Sequence, residues 1–241
     1  MDMYTTVVGF FQTGGPFMYP IAIVLAIGLA IAIERWVFLS AQTLRNRRDF
    51  EALLPMLKAQ RLGEVSKVTS SSKSAISRIA ADGLQRRTAT RRRGDIESAM
   101  EEGLLEILPS IERRTPYLAT FANVATLLGL LGTIIGLIAA FTAVANADPA
   151  EKATLLSQSI SIAMNTTAFG LMVAIPLLLI HSLLQSKTSA IVESLEIAVV
   201  KFLNLMDGYG TSAEAANSGA AAPQAARAPA KAAAKPAAKR A

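Results

Sequence analysis

Three long stretches of this chain carry almost no charge, and nothing else in it restricts the possible folds as strongly. The first covers residues 17–39 and is interrupted only late, by Glu34 and Arg35. The second lies between Arg114 and Asp148, and the third between Lys152 and Lys187. A helix needs ~20 apolar residues to cross ~30 Å of hydrocarbon, and each stretch supplies them. Composition points the same way. Of 241 residues, 52% are hydrophobic and 17% charged, too few charges to cover a soluble domain of this size. The first stretch does not read as a cleaved signal peptide. Its apolar core is too long, no basic segment precedes it, and Glu34-Arg35-Trp36 stands where small residues would be needed. Tyr19 and Trp36 suit the two membrane interfaces.

Orientation follows from lysine and arginine. Residues 1–16 contain none, residues 40–116 contain fifteen, residues 146–157 contain Lys152 alone, and the chain from 185 onward contains seven. The positive-inside rule therefore predicts a multi-pass inner-membrane protein with a periplasmic N-terminal segment (1–16) and a first span at 17–39. A cytoplasmic loop (40–116) follows, then a second span (117–145), a periplasmic hairpin (146–157) and a third span (158–184). A cytoplasmic helix (185–207) and a disordered Ala/Pro/Lys tail (208–241) complete the chain. Apolar spacing of three and four predicts helices over 45–62, 76–87 and 95–108 in the loop, with Ser70-Ser71-Ser72 as a turn. Pro109 and Pro116 punctuate the approach to the second span. Ile191, Leu195, Ala198, Phe202 and Leu205 make a helical stripe after the third. The fold class is thus all-α, with extended second and third helices.

Spans two and three hold more hydroxyl and amide groups than lipid-facing helices require. Asn123, Thr126, Leu130, Thr133 and Leu137 share one helical face, beside Gly129, Gly132 and Gly136. Gly132-x-x-x-Gly136 is a close-packing signature. In span three, Ser159, Thr166 and Gly170 share a face, Ser161 and Asn165 a neighbouring one, and Thr167 lies beside Ala163 and Ala174. Taken singly, each hydroxyl reads best as interhelical glue or as a bond to its own i−4 carbonyl. The set reads otherwise, because Asn123 and Asn165 cannot hide all their donors that way and call for a bundle interior or a wet path. So much small and polar surface predicts an oligomeric ring. Neither span contains Asp, Glu, Lys or Arg in its interior. If ions cross here, a titratable carboxylate must come from another chain.

These residues resemble the MotA/TolQ/ExbB family, ExbB and TolQ most of all. The run ERRTPYLATFANVATLLGLLGTIIGLI, with its core at Gly129 to Gly136, is similar to the family's second transmembrane helix. Thr166-Thr167-Ala168-Phe169-Gly170-Leu171, continued by Ala174-Ile175-Pro176, is similar to its third. Gly15-Pro16-Phe17, Tyr19-Pro20 and Ile33-Glu34-Arg35 resemble the ends of its first. The resemblance implies a homopentamer around an ExbD/TolR/MotB-type single-span partner dimer, whose aspartate carries the ion, and a TonB-like protein beyond it. It implies an ion path at Thr133 and Thr167, with Asn165 and Thr166 as neighbours; the small-residue spacing itself predicts helix packing at Gly129, Gly132, Gly136 and Gly170. Two departures stand out. Thr126 replaces a proline common in ExbB and TolQ, and Ile162 falls where ExbB has a third-helix glutamate. The second leaves H⁺ and Na⁺ both open, since Ser161, Asn165 and the tandem threonines offer oxygen ligands.

The remaining features read more plainly. Glu34-Arg35 suits an interfacial pair with snorkelling side chains. Arg86-Arg87 and Arg91-Arg92-Arg93 have no interleaved aromatics, so nucleic acid is not expected and contact with anionic membrane lipids is. His181, the single histidine, suits an interface and a routine hydrogen bond. No cysteine is present, and no metal cluster, cofactor loop or nucleophile–base pair marks an enzyme. Three functions follow in order. The first is a ring subunit of an ion-driven motor that energises outer-membrane or envelope work. The second is a stator for flagellar or gliding motility, and the third is a non-conducting scaffold. The loop after the first span, rather than after the second, favours the first over the second.

Overall fold

The computed structural model describes residues 14–90, 92–145 and 147–218, with side chains described through Met206. Most of the N-terminal segment and the tail beyond Ser218 lie outside these residues. Six helices follow one another: α1 (Met18–Lys58), α2 (Leu62–Ser71), α3 (Ala75–Ala89), α4 (Arg93–Glu112), α5 (Thr115–Ala145) and α6 (Lys152–Ser218). There is no strand among the described residues. Three segments are long and apolar enough to cross a membrane: α1, the Arg93–Ala145 run that includes α5, and α6. The chain is an all-α multi-pass membrane protein.

Two of the three long helices continue well past the hydrocarbon. At 1.5 Å per residue, the 41 residues of α1 span about 60 Å and the 67 of α6 about 100 Å. The backbone of α6 stays helical to Ser218, eleven residues into the segment predicted to be disordered, where Ala213, Glu214, Ala215 and Ala216 are good helix formers. α1 does not reach Leu62. It ends at Lys58 in a left-handed turn, where Gln60 has φ 59° and the Arg61 N–H reaches back to the Met56 carbonyl at 3.0 Å. Ser70 and Ser71 belong to α2 and not to a turn, because their hydroxyls donate to the Lys67 and Val68 carbonyls one turn back. The chain turns only after them.

The extensions of α1 and α6 bundle with α2–α4 around one continuous apolar core. Leu53, Val65, Ile79, Met100 and Leu195 are fully enclosed in it, and Leu39, Leu118 and Leu184 carry it toward the apolar spans. Polar contacts on α1 receive the start of α3. The Asn46 side-chain oxygen accepts from the Ala75 N–H at 3.1 Å, and the Asp49 carboxylate accepts from Ser72 and, at 3.3 Å, from Ser77. Burial pushes the Asp49 carboxyl up, but bonds from Ser72, Ser74 and Ser77 and the Arg48 charge outweigh it and hold Asp49 below the usual carboxylate range. On α3, Asp82 moves the other way. Burial over Gly103 and the nearby charge of Glu106 raise it, and Arg78 only partly compensates.

Two charged features differ from the sequence reading. Arg35 does not snorkel. It is 3% exposed, its Nη2 donates to the Ile111 carbonyl at 3.1 Å, and its guanidinium lies 4.9 Å from the Phe38 ring centre. The cause is α4, whose last carbonyls lack intrahelical donors and end beside α1. Glu34 turns outward and pairs with Arg114 at 3.3 Å, at the α4–α5 junction where Arg114 itself has φ 70°. The arginine-rich turn is the second, because Arg93 has a partner within the protein. Arg93 donates to Asn204 at 3.0 Å, twenty residues along α6 past 184, which places this turn about 30 Å from the apolar span. That exceeds the ~8 Å screening length, so the Arg93–Asn204 contact owes nothing to headgroup charge at the end of the span.

Candidate ion path

The site is built where α5 meets α6. The enclosed face of α5 is made of small residues, Ala122, Ala125, Gly129, Gly132 and Ala140, so the two backbones approach closely. A Cβ at Gly129 would stand 3.3 Å from the Cα atoms of both Gly170 and Thr167. One at Gly170 would stand 2.8 Å from the Ala125 carbonyl oxygen. Gly132 receives the Thr166 methyl, and Gly136 receives Ala163. Nearer the loop end, α1 closes the other flank of α6, with Gly28 against Leu177. There the Lys187 Nζ donates to Ser40 at 2.7 Å and sits 4.1 Å above the Trp36 ring.

Close approach places Thr133 and Thr167 around one carbonyl. The Thr167 hydroxyl donates across the interface to the Gly129 oxygen at 2.8 Å, the same oxygen that the Thr133 N–H takes in the helix ladder. The Thr133 hydroxyl donates to Leu130 at 2.6 Å. Both hydroxyl hydrogens are therefore committed, while both oxygens keep lone pairs able to accept. Both residues are half-buried, on the flank of the α5–α6 seam away from α1. Asn123, Thr126, Leu130 and Leu137 continue that open flank along α5; Thr126 bonds its own Ala122 carbonyl, and no partner for Asn123 exists among the described residues.

The other two expected neighbours lie elsewhere. Thr166 is 2% exposed and turned into the protomer, where its hydroxyl reaches the Gly14 carbonyl at 2.6 Å and the Ile162 carbonyl at 3.0 Å. Asn165 stands about 160° around α6 from Thr167, on the far side of the buried seam, and its amide has no partner among the described residues. The structure thus brings together Thr133 and Thr167, and leaves Thr166 and Asn165 off that face. The Thr166–Gly14 bond has no sequence signal, because it joins residues 152 apart. Arg35 could have been suspected from the cost of leaving a guanidinium beside hydrocarbon.

A multi-pass membrane protein with a tight glycine seam, an uncharged threonine pair beside it and a helical bundle at one end has the form of a channel-type membrane protein. The model of the MotA/TolQ/ExbB proton channel family matches residues 71–197, more than half the chain, and the chain belongs to this family. Among curated relatives, a biopolymer transport protein ExbB homologue of Methanothermobacter thermautotrophicus is 28% identical over 199 residues, 82% of this chain and 69% of that one. An ExbB-like protein of Synechocystis is 30% identical over 73% of this chain and 83% of its own. The Tol-Pal system protein TolQ of Haemophilus influenzae is 36% identical over 93 residues, 39% of this chain and 40% of its own.

Proposed function

We propose that this chain is the ring subunit of an inner-membrane motor, ExbB/TolQ-like, that conducts H⁺ or Na⁺ together with an ExbD/TolR-type single-span partner and energises envelope work. The observation that carries this reading is the convergence of Thr133 and Thr167 on the Gly129 carbonyl, at an open flank without a charge of its own. With their hydrogens spent on carbonyls, the two hydroxyls offer acceptors, which suit a protonated carboxyl from the partner or a hydrated cation. The partner supplies the missing carboxylate. The relatives named for biopolymer transport and for the Tol-Pal system, together with a loop after the first span, support envelope work over a motility stator. Lysine and arginine placement supports a periplasmic N-terminus and a cytoplasmic α2–α4 bundle.

The test is ion flux through the complex with its partner. Thr133→Val and Thr167→Val each keep shape and remove one hydroxyl, and each is expected to abolish flux while leaving the oligomer intact. An interhelical hydrogen bond in a membrane averages only ~0.6 kcal/mol, too little to dismantle a ring. Thr142→Val is the control, because Thr142 lies on the opposite face of α5 and bonds its own Ile138 carbonyl at 2.8 Å. Full flux in the Thr133/Thr167 double variant would reduce both hydroxyls to packing groups.

A further inference from the structure

Toward the loop end, the Thr167 face of α6 turns polar again. His181, Gln185 and Ser189 follow Thr167 at i+14, i+18 and i+22, each within about 40° of its direction around the helix. With Ser182, Ser186 and Glu193 they line an open trough of ≈ 500 Å³. Every lining residue belongs to α6, and among the described residues no other element covers it. None of the six polar side chains bonds to another described residue, so the routine hydrogen bond expected of His181 is not made among the described residues. The opposite side of the same turns is apolar and enclosed, with Leu184, Ile191 and Leu195 at 2% exposure or less. Between Thr167 and His181 the open face changes character: it carries Leu171 and Leu178, 44% and 43% exposed, while Ala174 between them in sequence is enclosed.

We propose that this polar face of α6 is the water-filled mouth of the ion path, and that Leu171 and Leu178 form the apolar constriction between the mouth and the threonines. The proposal rests on the ion-path reading above. Its ligand is a monovalent cation with its hydration water. A neighbouring apolar surface would strand six unpaired polar groups, whereas water satisfies them all. The mouth begins about 21 Å from Thr167 along the helix, and the constriction fills the middle of that distance. Hydroxyl, amide and carboxylate oxygens and the imidazole ring hold water around a passing cation without fixing it in a cage. Two leucines per subunit, repeated around a ring, make the kind of narrow apolar segment that gates by dewetting.

The chain has no cysteine, so one introduced thiol reports on one position. Gln185→Cys, Ser189→Cys and, as control, Ser194→Cys are made in the full chain and assembled with the partner in inverted membrane vesicles. Ser194 is exposed but points half a turn away from Thr167. Each complex is treated with a bulky, membrane-impermeant thiosulfonate, and labelling and flux are followed with Na⁺ present and with Na⁺ replaced by choline, which tells Na⁺ from H⁺. Positions 185 and 189 are expected to label as freely as 194, and flux to fall about tenfold on substitution or labelling there alone. Leu178→Asn is expected to leak ions without partner-dependent work. Unchanged flux in fully labelled Gln185→Cys and Ser189→Cys complexes, or failure of both to label, overturns the mouth even where Thr167→Val still blocks flux. Normal flux in Thr167→Val would instead overturn the ion-path reading beneath it.

Discussion

Thr167 on α6 donates its hydroxyl to the Gly129 carbonyl on α5 at 2.8 Å, across a contact so close that a Cβ at Gly170 would meet the Ala125 carbonyl oxygen at 2.8 Å and one at Gly129 would stand only 3.3 Å from the facing Cα atoms. Packing and chemistry meet at this bond. The glycines let the backbones approach, and the approach lets a side-chain hydroxyl reach a main-chain oxygen already used in its own helix. Whatever loosens the seam therefore also disturbs the threonine pair.

Gly170→Ala tests the seam. Its new Cβ would meet the Ala125 carbonyl oxygen at 2.8 Å and the Gly129 Cα at 3.1 Å, both main-chain atoms that cannot rotate aside. Overpacking of this kind costs ~1–3 kcal/mol, so the unfolding midpoint in detergent should drop. Gly63→Ala, with nothing within 4 Å, should leave the midpoint unchanged or slightly higher. Equal midpoints for the two variants would mean the helices can separate freely.

Arg35 and Glu34 should respond differently to replacement. Arg35→Met removes a buried donor and leaves the Ile111 carbonyl without it, a loss of ~1–3 kcal/mol. Because the Arg35 Nε has no partner of its own, the net loss should sit toward the lower end. Glu34→Gln breaks a pair whose side chains are 43% and 50% exposed, worth at most ~1 kcal/mol. Chemical denaturation of the two variants gives the comparison, and a larger loss for Glu34→Gln would contradict the burial of Arg35.

Two aspartates of the helical bundle should give opposite pH responses. Asp49 is held below its ordinary range, so it contributes stability above its unfolded pKa that disappears as pH falls through the folded value. Asp49→Asn should destabilise at neutral pH and converge with the parent in acid. Asp82 is raised, so its ionised form is disfavoured in the fold and its contribution is favourable only when protonated. Asp82→Asn should stabilise at neutral pH, with the gain vanishing below the ordinary carboxylate range. Thermal midpoints across acid to neutral pH check both signs.

What could be read from the sequence divides by distance along the chain. The apolar stretches and their small-residue faces are local patterns, so three spans and the glycines of α5 were legible before any packing was known. The third-helix motif marked Thr166 and Thr167 together, yet they differ by 100° around α6, and only the position of α5 decides which one is enclosed. Burial of Arg35 depends on the end of α4, 76 residues later. The polar face at His181, Gln185 and Ser189 was in principle legible, since its spacing from Thr167 is helical throughout, but that holds only once α6 is known to be unbroken past Pro176.

Those adjacent threonines make the sharpest comparison. Thr166 has its hydroxyl on the Gly14 and Ile162 carbonyls and its methyl against Gly132, all inside one protomer. Thr166→Val keeps the methyl contact and strands a buried Gly14 carbonyl, so it should lower the unfolding midpoint by the equivalent of ~1–3 kcal/mol. Flux per folded complex should stay near the parent value, because the residue does not reach the open flank. Thr166→Ser restores the hydroxyl and should recover part of the stability, less the cost of the lost methyl against Gly132. Thr167→Val should show the reverse pattern, with a midpoint within ~1 kcal/mol of the parent and no flux. Both quantities are measured on the same purified complexes, stability by thermal unfolding and flux after reconstitution. If Thr166→Val abolished flux without loss of stability, the enclosed threonine would belong to the ion path, and the boundary drawn here between packing and conduction would lie on the wrong side of it.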